Sequence, residues 1–353
     1  MVEPWKLYIG TSSVRGSKGI YVLRMDRETG ALTLHSTAQT EDPTFLCASP
    51  DGKHLYSSVE CMIYAGAANA ATVSFAVQPD GSLEKQNWQP VAGQLNSHVS
   101  MSADGRFVYA SSYITGTLTR YAVAADGSLG APECVVRHVS PDERPPLLHA
   151  AFPTPDGRYV CTIETGLDYI SMVDSVSLNE EYRLDFPPQS RVRHLAFHPF
   201  NPSLLYVLTE FGNEVWTVRY EPDSKEKLTV LQRLPNLDRV DGTFRLTSAI
   251  KTTPDGKLLL TSLRAFENEA DLLNTYAIGP DGLLTLAERI RPAGRVPRDL
   301  AVTPDGRFAV VASQWSDTVD VYRIDAEKGS LHPTGCRLPV ACPNCVLFLP
   351  RQG

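Results

Sequence analysis

Side chains that bind anions or move protons recur at one level of a repeating pattern in this chain. Nine residues past the aspartate of a recurrent Asp-Gly pair stand Glu60, Tyr113, Thr165 (beside Glu164), Arg264 and Gln314. The same count from Asn201, in a degenerate copy, reaches Glu210. Seven residues before the aspartate stand Thr44, Ser97, His149, Ser248 and Arg298, and matching 195–199 to 300–304 adds Arg193. Asn344 occupies the level in the last segment, His194 adjoins Arg193, and His98 and Arg245 lie within a few residues of it. Arginines gathered in this way suit a carboxylate or phosphate, because the guanidinium fork pairs with such groups in bidentate fashion. A histidine and a glutamate among them supply acid/base chemistry near neutral pH. Any one of these residues alone reads as a solvated strand end. Their convergence is what points to a binding site.

The elements that must position them are legible as a repeat. Ser49-Pro-Asp-Gly-Lys-His-Leu-Tyr56 recurs from Ser102, Thr154, Thr253 and Thr303, and a worn copy runs from His198 to Tyr206. The spacing is roughly fifty residues, a period typical of propeller blades. Asp-Gly between two apolar runs marks a hairpin, since both residues tolerate positive φ. A second hairpin signal alternates with the first, at Gly30, Asp80-Gly81, Asp126-Gly127, Asp281-Gly282 and Gly329, with weaker forms near Ser175 and Asp223. Seven second hairpins against six first ones imply that Asn344–Pro350 is an innermost strand that joins three strands from the N-terminus. The expected fold is therefore all-β: one seven-bladed β-propeller over residues 1–353. Its blades are four-stranded and antiparallel, and the C-terminal strand closes the ring, which removes an exposed edge. In such a blade the start of strand one and the end of strand two meet at one rim.

Composition excludes several classes. Net charge is −7 with no block of Lys/Arg, which argues against nucleic acid and anionic membranes as partners. The first residues carry no basic-then-apolar signal, and no apolar run approaches the ~20 residues of a membrane span. Seven scattered cysteines argue against a disulfide framework and for a reducing, cytoplasmic location. Cys342-Pro-Asn-Cys345 lacks a second pair to complete a zinc site. His194 and His198 stand over ~10 Å apart on a strand, so no metal is assigned to them. There is no Gly-x-Ser-x-Gly elbow, Walker loop or dinucleotide fingerprint, and no cofactor is expected. Oligomeric state leaves no mark in the sequence.

At these residues the chain resembles the lactonase propeller family, which includes propeller-type 6-phosphogluconolactonases and the fungal 3-carboxy-cis,cis-muconate lactonizing enzyme. The resemblance runs from Tyr8-Ile-Gly-Thr11 to Cys345-Val-Leu-Phe348. It is strongest at Leu148-His-Ala-Ala151, Arg193-His-Leu-Ala-Phe-His-Pro199, Leu208-Thr-Glu-Phe-Gly-Asn213, Ser262-Leu-Arg264 and Pro297-Arg-Asp299. It implies a catalytic quartet of His149, Arg193, Glu210 and Arg264. Substrate contacts would come from His98, Tyr113, His194, Arg245, Arg298 and Gln314. The implied activity is hydrolysis of an anionic sugar-acid lactone, with arginines on the anion and the oxyanion, Glu210 as base and His149 as acid. The alternatives are a cycloisomerase of the muconate type and a non-catalytic binding propeller. A metal-dependent lactonase with Glu60, Glu164 and Glu210 as ligands is a further one. The chain departs from the family at Val59, Ser112 and Thr209, where an Asn is frequent, and in a long Ala-rich stretch over 61–71.

Overall fold

The computed structural model describes residues 3–60, 70–140, 143–237, 243–267 and 270–350. The notable stretch over 61–69 lies outside the described residues. Seven four-stranded antiparallel sheets form the ring. The innermost strands are Pro343–Phe348 (blade 1), Leu46–Ala48 (blade 2), Asn96–Met101 (blade 3), Leu148–Pro153 (blade 4), Val192–Phe197 (blade 5), Arg245–Thr252 (blade 6) and Pro297–Val302 (blade 7). Blade 1 is the closing blade. Its innermost strand pairs with Trp5–Thr11 in the register Leu7↔Phe348, Tyr8↔Leu347 and Ile9↔Val346, as the hairpin count predicts.

The repeated Ser/Thr-x-Asp-Gly motif explains the first hairpin of each blade. The hydroxyls of Ser49, Ser102, Thr154, Thr253 and Thr303 each donate to the aspartate two residues on, at 2.6 Å. The glycines that follow take φ of +67° to +77°, which is costly for a residue with a Cβ. In blade 5 the worn copy replaces the hydroxyl with an imidazole. His198 Nδ1 accepts from the amides of Phe200 and Asn201.

The second hairpin locks one blade to the next. Tyr8, Tyr56 and Tyr206, on second strands, each donate to the carbonyl of a second-hairpin glycine in the following blade, at Gly81, Gly127 and Gly282. Second strands such as Tyr159–Glu164, Leu204–Thr209 and Phe308–Ser313 are buried on both faces, which is why they read as unbroken apolar runs rather than alternating ones. Their side chains fill the layers between blades. Between blades 4 and 5, Ile163, Ile170 and Met172 pack on Val207 and Trp216. Truncating a residue in such a layer to Ala costs about 2–5 kcal/mol. No helix among the described residues is long and apolar enough to cross a membrane.

Candidate active site

The innermost strands share an irregularity that builds the site. In blade 3 the pairing jumps from Asn96↔Ser112 to His98↔Ser111, leaving Ser97 as an extra residue. The same bulge isolates His149 in blade 4, Arg193-His194 in blade 5 and Ser248-Ala249 in blade 6. It isolates Arg298 in blade 7 and Asn344 in blade 1. A β-bulge bends its strand and re-aims a side chain. It recurs in six of the seven blades, at the level of the channel mouth, while blade 2 pairs without a break over Leu46–Ala48.

Side-chain bonds stitch these bulges together. Ser97 Oγ donates to the His149 carbonyl at 2.9 Å and Ser248 Oγ to the Arg298 carbonyl at 2.7 Å. Arg193 Nε donates to the Ser248 carbonyl at 3.1 Å. A small cavity results, lined by Thr44, Phe45, Glu60, Ser97, His149, Arg193, His194, Arg298, Asp299 and Asn344. Sequence counting from the turn aspartates thus brings residues of six blades to one opening.

Glu210 and Arg264 form the layer beside the cavity. Glu210 Oε1 accepts from Arg193 Nη1 at 3.2 Å and from Arg264 Nη2 in a closer contact. Burial alone would raise the Glu210 carboxyl. Arg193, Arg264 and Arg298 outweigh it and hold the group below the usual carboxylate range. Burial lowers Arg193 to about 10, which still leaves a cation at neutral pH. Arg298 differs from both: among the described residues its guanidinium makes no ion pair.

His149 and His194 are held neutral, first by burial and next by the Arg193 charge. Tyr113 stands edge-on to His149 at 5.8 Å, and Gln314 donates its side-chain amide to Asn344 Oδ1. His98 is not a lining residue. It is 1% exposed, packs on Phe45 and Phe152 at 4.2 and 4.8 Å, and forms a neutral floor with His194. Arg245 also stands away from the cavity, with Nε donating to the Ala270 carbonyl at 2.9 Å.

The three carboxylates considered as metal ligands do not converge. Glu164 accepts from the amides of Leu147 and Gly166, and Glu210 is taken by arginines. Among the described residues no group of three His, Cys, Asp or Glu is placed to hold a metal ion.

Sequence reasoning gave Glu60 no substrate role, yet it lines the cavity. It also missed an aromatic rim beside the mouth. Phe211 meets Phe244 at 5.9 Å and Phe266 meets Trp315 at 5.4 Å, with Phe211, Phe244 and Trp315 over 40% exposed. The available signal was their place one or two residues from Glu210, Arg245, Arg264 and Gln314.

The family model described as "Lactonase, 7-bladed beta-propeller" matches residues 6–348. A 6-phosphogluconolactonase of Bacillus subtilis is 31% identical over 355 residues, covering 97% of each chain. A 6-phosphogluconolactonase of Xenorhabdus nematophila is 26% identical, covering 89% of this chain and 90% of the other. Among solved structures, the periplasmic gluconolactonase of Pseudomonas aeruginosa superimposes with a TM-score of 0.89 at 26% identity, covering 98% and 99% of the two chains. By the extent of the family match and the geometry of its closed ring, the chain belongs to the seven-bladed lactonase β-propeller family.

Proposed function

We propose that this chain hydrolyses a sugar-acid lactone that carries an anionic group, such as a 6-phosphogluconolactone or an aldarolactone. The observation that carries the reading is the cluster of Arg193, Arg264 and Arg298 with His149 at one channel mouth of a lactonase-family propeller. Three guanidinium groups face the carboxylates of Glu60 and Glu210, while Asp299 is offset by Lys251 at 3.9 Å. The cluster thus keeps positive charge, which favours an anionic substrate.

In this reading Arg298 receives the anionic group of the lactone. Arg193 and Arg264, aligned in advance by Glu210, stabilise the oxyanion that forms when water attacks the lactone carbonyl. His149, His194, Tyr113, Asn344 and Gln314 shape and hydrogen-bond the sugar ring. The protein works in a reducing compartment such as the cytoplasm, a reading supported by the free thiols of Cys47, Cys161, Cys336, Cys342 and Cys345.

Acid release at constant pH tests this, with 6-phosphogluconolactone, gluconolactone, galactarolactone and glucarolactone as substrates. The expected result is turnover of at least one anionic lactone at a higher kcat/KM than gluconolactone. Loss of carboxymuconate absorbance without lactone turnover would establish a cycloisomerase instead. Silence across the whole panel would leave a binding propeller.

A further inference from the structure

Glu210 and His149 are poorly placed to move the proton that hydrolysis requires. Glu210 is not among the lining residues, and its Oε1 already accepts from two arginines. A carboxylate so neutralised is a weak base. His149 presents Nε2 to Arg193 Nη1 at 2.8 Å. A guanidinium has no acceptor, so Nε2 must accept there and the imidazole proton sits on Nδ1. The ring is then occupied at its basic nitrogen and stays uncharged beside three cations.

Two carboxylates line the cavity, Asp299 and Glu60. Asp299 is engaged at both oxygens, by the Val346 amide and by Lys251 at 3.9 Å, which leaves Glu60. Glu60 follows the second strand of blade 2, His54–Val59, and reaches the cavity opposite His149 and Arg193 of blades 4 and 5. Among the described residues it makes no ion pair, and the side chain is half-buried. The charged groups that act on it are Arg298, Arg193 and Asp42, with the Thr44 hydroxyl beside it.

We propose that Glu60 is the proton-transfer residue of the lactonase reaction, taking a proton from the attacking water and returning it to the departing ring oxygen. The inference rests on the lactonase reading and goes beyond the quartet of His149, Arg193, Glu210 and Arg264. As the water oxygen bonds to the carbonyl carbon, one water proton passes to the Glu60 carboxylate. When the tetrahedral intermediate collapses, the bond from carbon to ring oxygen breaks and that proton passes to the leaving alkoxide. The product hydroxy acid loses its carboxyl proton to solvent, and Glu60 is regenerated as the carboxylate.

The environment supports this division. Burial lifts the Glu60 carboxyl above the usual carboxylate range, against the pull of Arg298, Thr44 and Arg193, whereas Glu210 is held below it. Two carboxylates pushed in opposite directions mark distinct roles, and the raised one is the better base and acid.

The test compares wild type, Glu60→Gln and Glu60→Asp on a lactone that wild type turns over. Glu60→Gln is expected to lower kcat by roughly 10²–10⁴-fold, with KM within threefold. The acidic limb of kcat/KM, where activity rises as Glu60 loses its proton, should vanish with it. Glu60→Asp should retain part of the rate and shift that limb. Should Glu60→Gln not fold, an unmoved acidic limb in Glu60→Asp overturns the proposal. So does Glu60→Gln that folds and keeps kcat within threefold. A wild-type protein silent on every lactone overturns the lactonase reading itself, a result distinct from an active Glu60→Gln.

Discussion

Arg193 Nη1 lies 2.8 Å from His149 Nε2, and because an arginine can only donate, this contact fixes the tautomer of the histidine. Nδ1 carries the proton and has no partner among the described residues. Burial and the Arg193 and Arg298 charges also hold the ring neutral. The expected NMR signature is an Nδ1–H tautomer whose ring nitrogen shifts stay constant from pH 8 to pH 6. An imidazolium appearing in that range, or a proton on Nε2, would show that Arg193 and His149 do not pair.

Glu210 compensates two buried guanidinium groups through a single oxygen, with Arg193 and Arg264 each about 4% exposed. Glu210→Gln leaves both cations buried without a counter-charge. Breaking a buried pair from one side costs about 3–5 kcal/mol, so denaturant unfolding should show a loss of that order. Lactone turnover should fall with it, because the arginines lose their alignment. The double variant Glu210→Gln/Arg264→Met should recover part of the stability and none of the activity. A Glu210→Gln protein of wild-type stability would contradict the ion-pair arrangement.

Arg298 lines the cavity yet makes no ion pair among the described residues, so removing its charge breaks no salt bridge, although Glu60 and Glu210 lose a more distant positive charge. Arg298→Met should therefore fold with near-normal stability. A charge-assisted hydrogen bond is worth about 1.5–3 kcal/mol, so KM for an anionic lactone should rise roughly 10–100-fold. KM for a neutral lactone should change by less than threefold. Equal effects on both substrates would remove Arg298 from the anion site.

The same particulars show how far the sequence carried. The ring, its closure and the level of the site follow from counting, because each Asp-Gly turn fixes a register and the bulge recurs at one distance from it. His149 and Arg298 were reachable from Asp156 and Asp305 for that reason, and Arg193 by matching 195–199 to 300–304. Residues assigned by mere nearness fared differently. His98 lies one residue past the bulged Ser97 and faces Phe45 and Phe152, and Arg245 lies three before Ser248 and bonds the Ala270 carbonyl. Electrostatic character was not legible. Glu60 and Glu210 occupy the same repeat position, but two bonded arginines hold one, whereas burial outweighs the unbonded Arg298 and Arg193 at the other, so their carboxyls move in opposite directions. Those neighbours come from other blades, at sequence distances no local pattern encodes.

Glu164 carries a prediction on stability rather than activity. Its Oε1 accepts from the Leu147 and Gly166 amides, but burial dominates and lifts the carboxyl to about 7. In the unfolded chain the group titrates near ~4.3. The folded state therefore keeps a proton that the unfolded state loses. Stability from this source is fully present below about pH 4 and is lost as pH rises through 7. At about 1.4 kcal/mol per pH unit the change amounts to about 4 kcal/mol. Glu164→Gln keeps the acceptor oxygen and removes the titration. Unfolding free energies of wild type and variant, measured from pH 5 to pH 8, should diverge in favour of the variant up to about pH 7 and level off above it. A difference that stays flat across that range would mean Glu164 is ionised in the folded ring, with the Leu147 and Gly166 amides outweighing its burial.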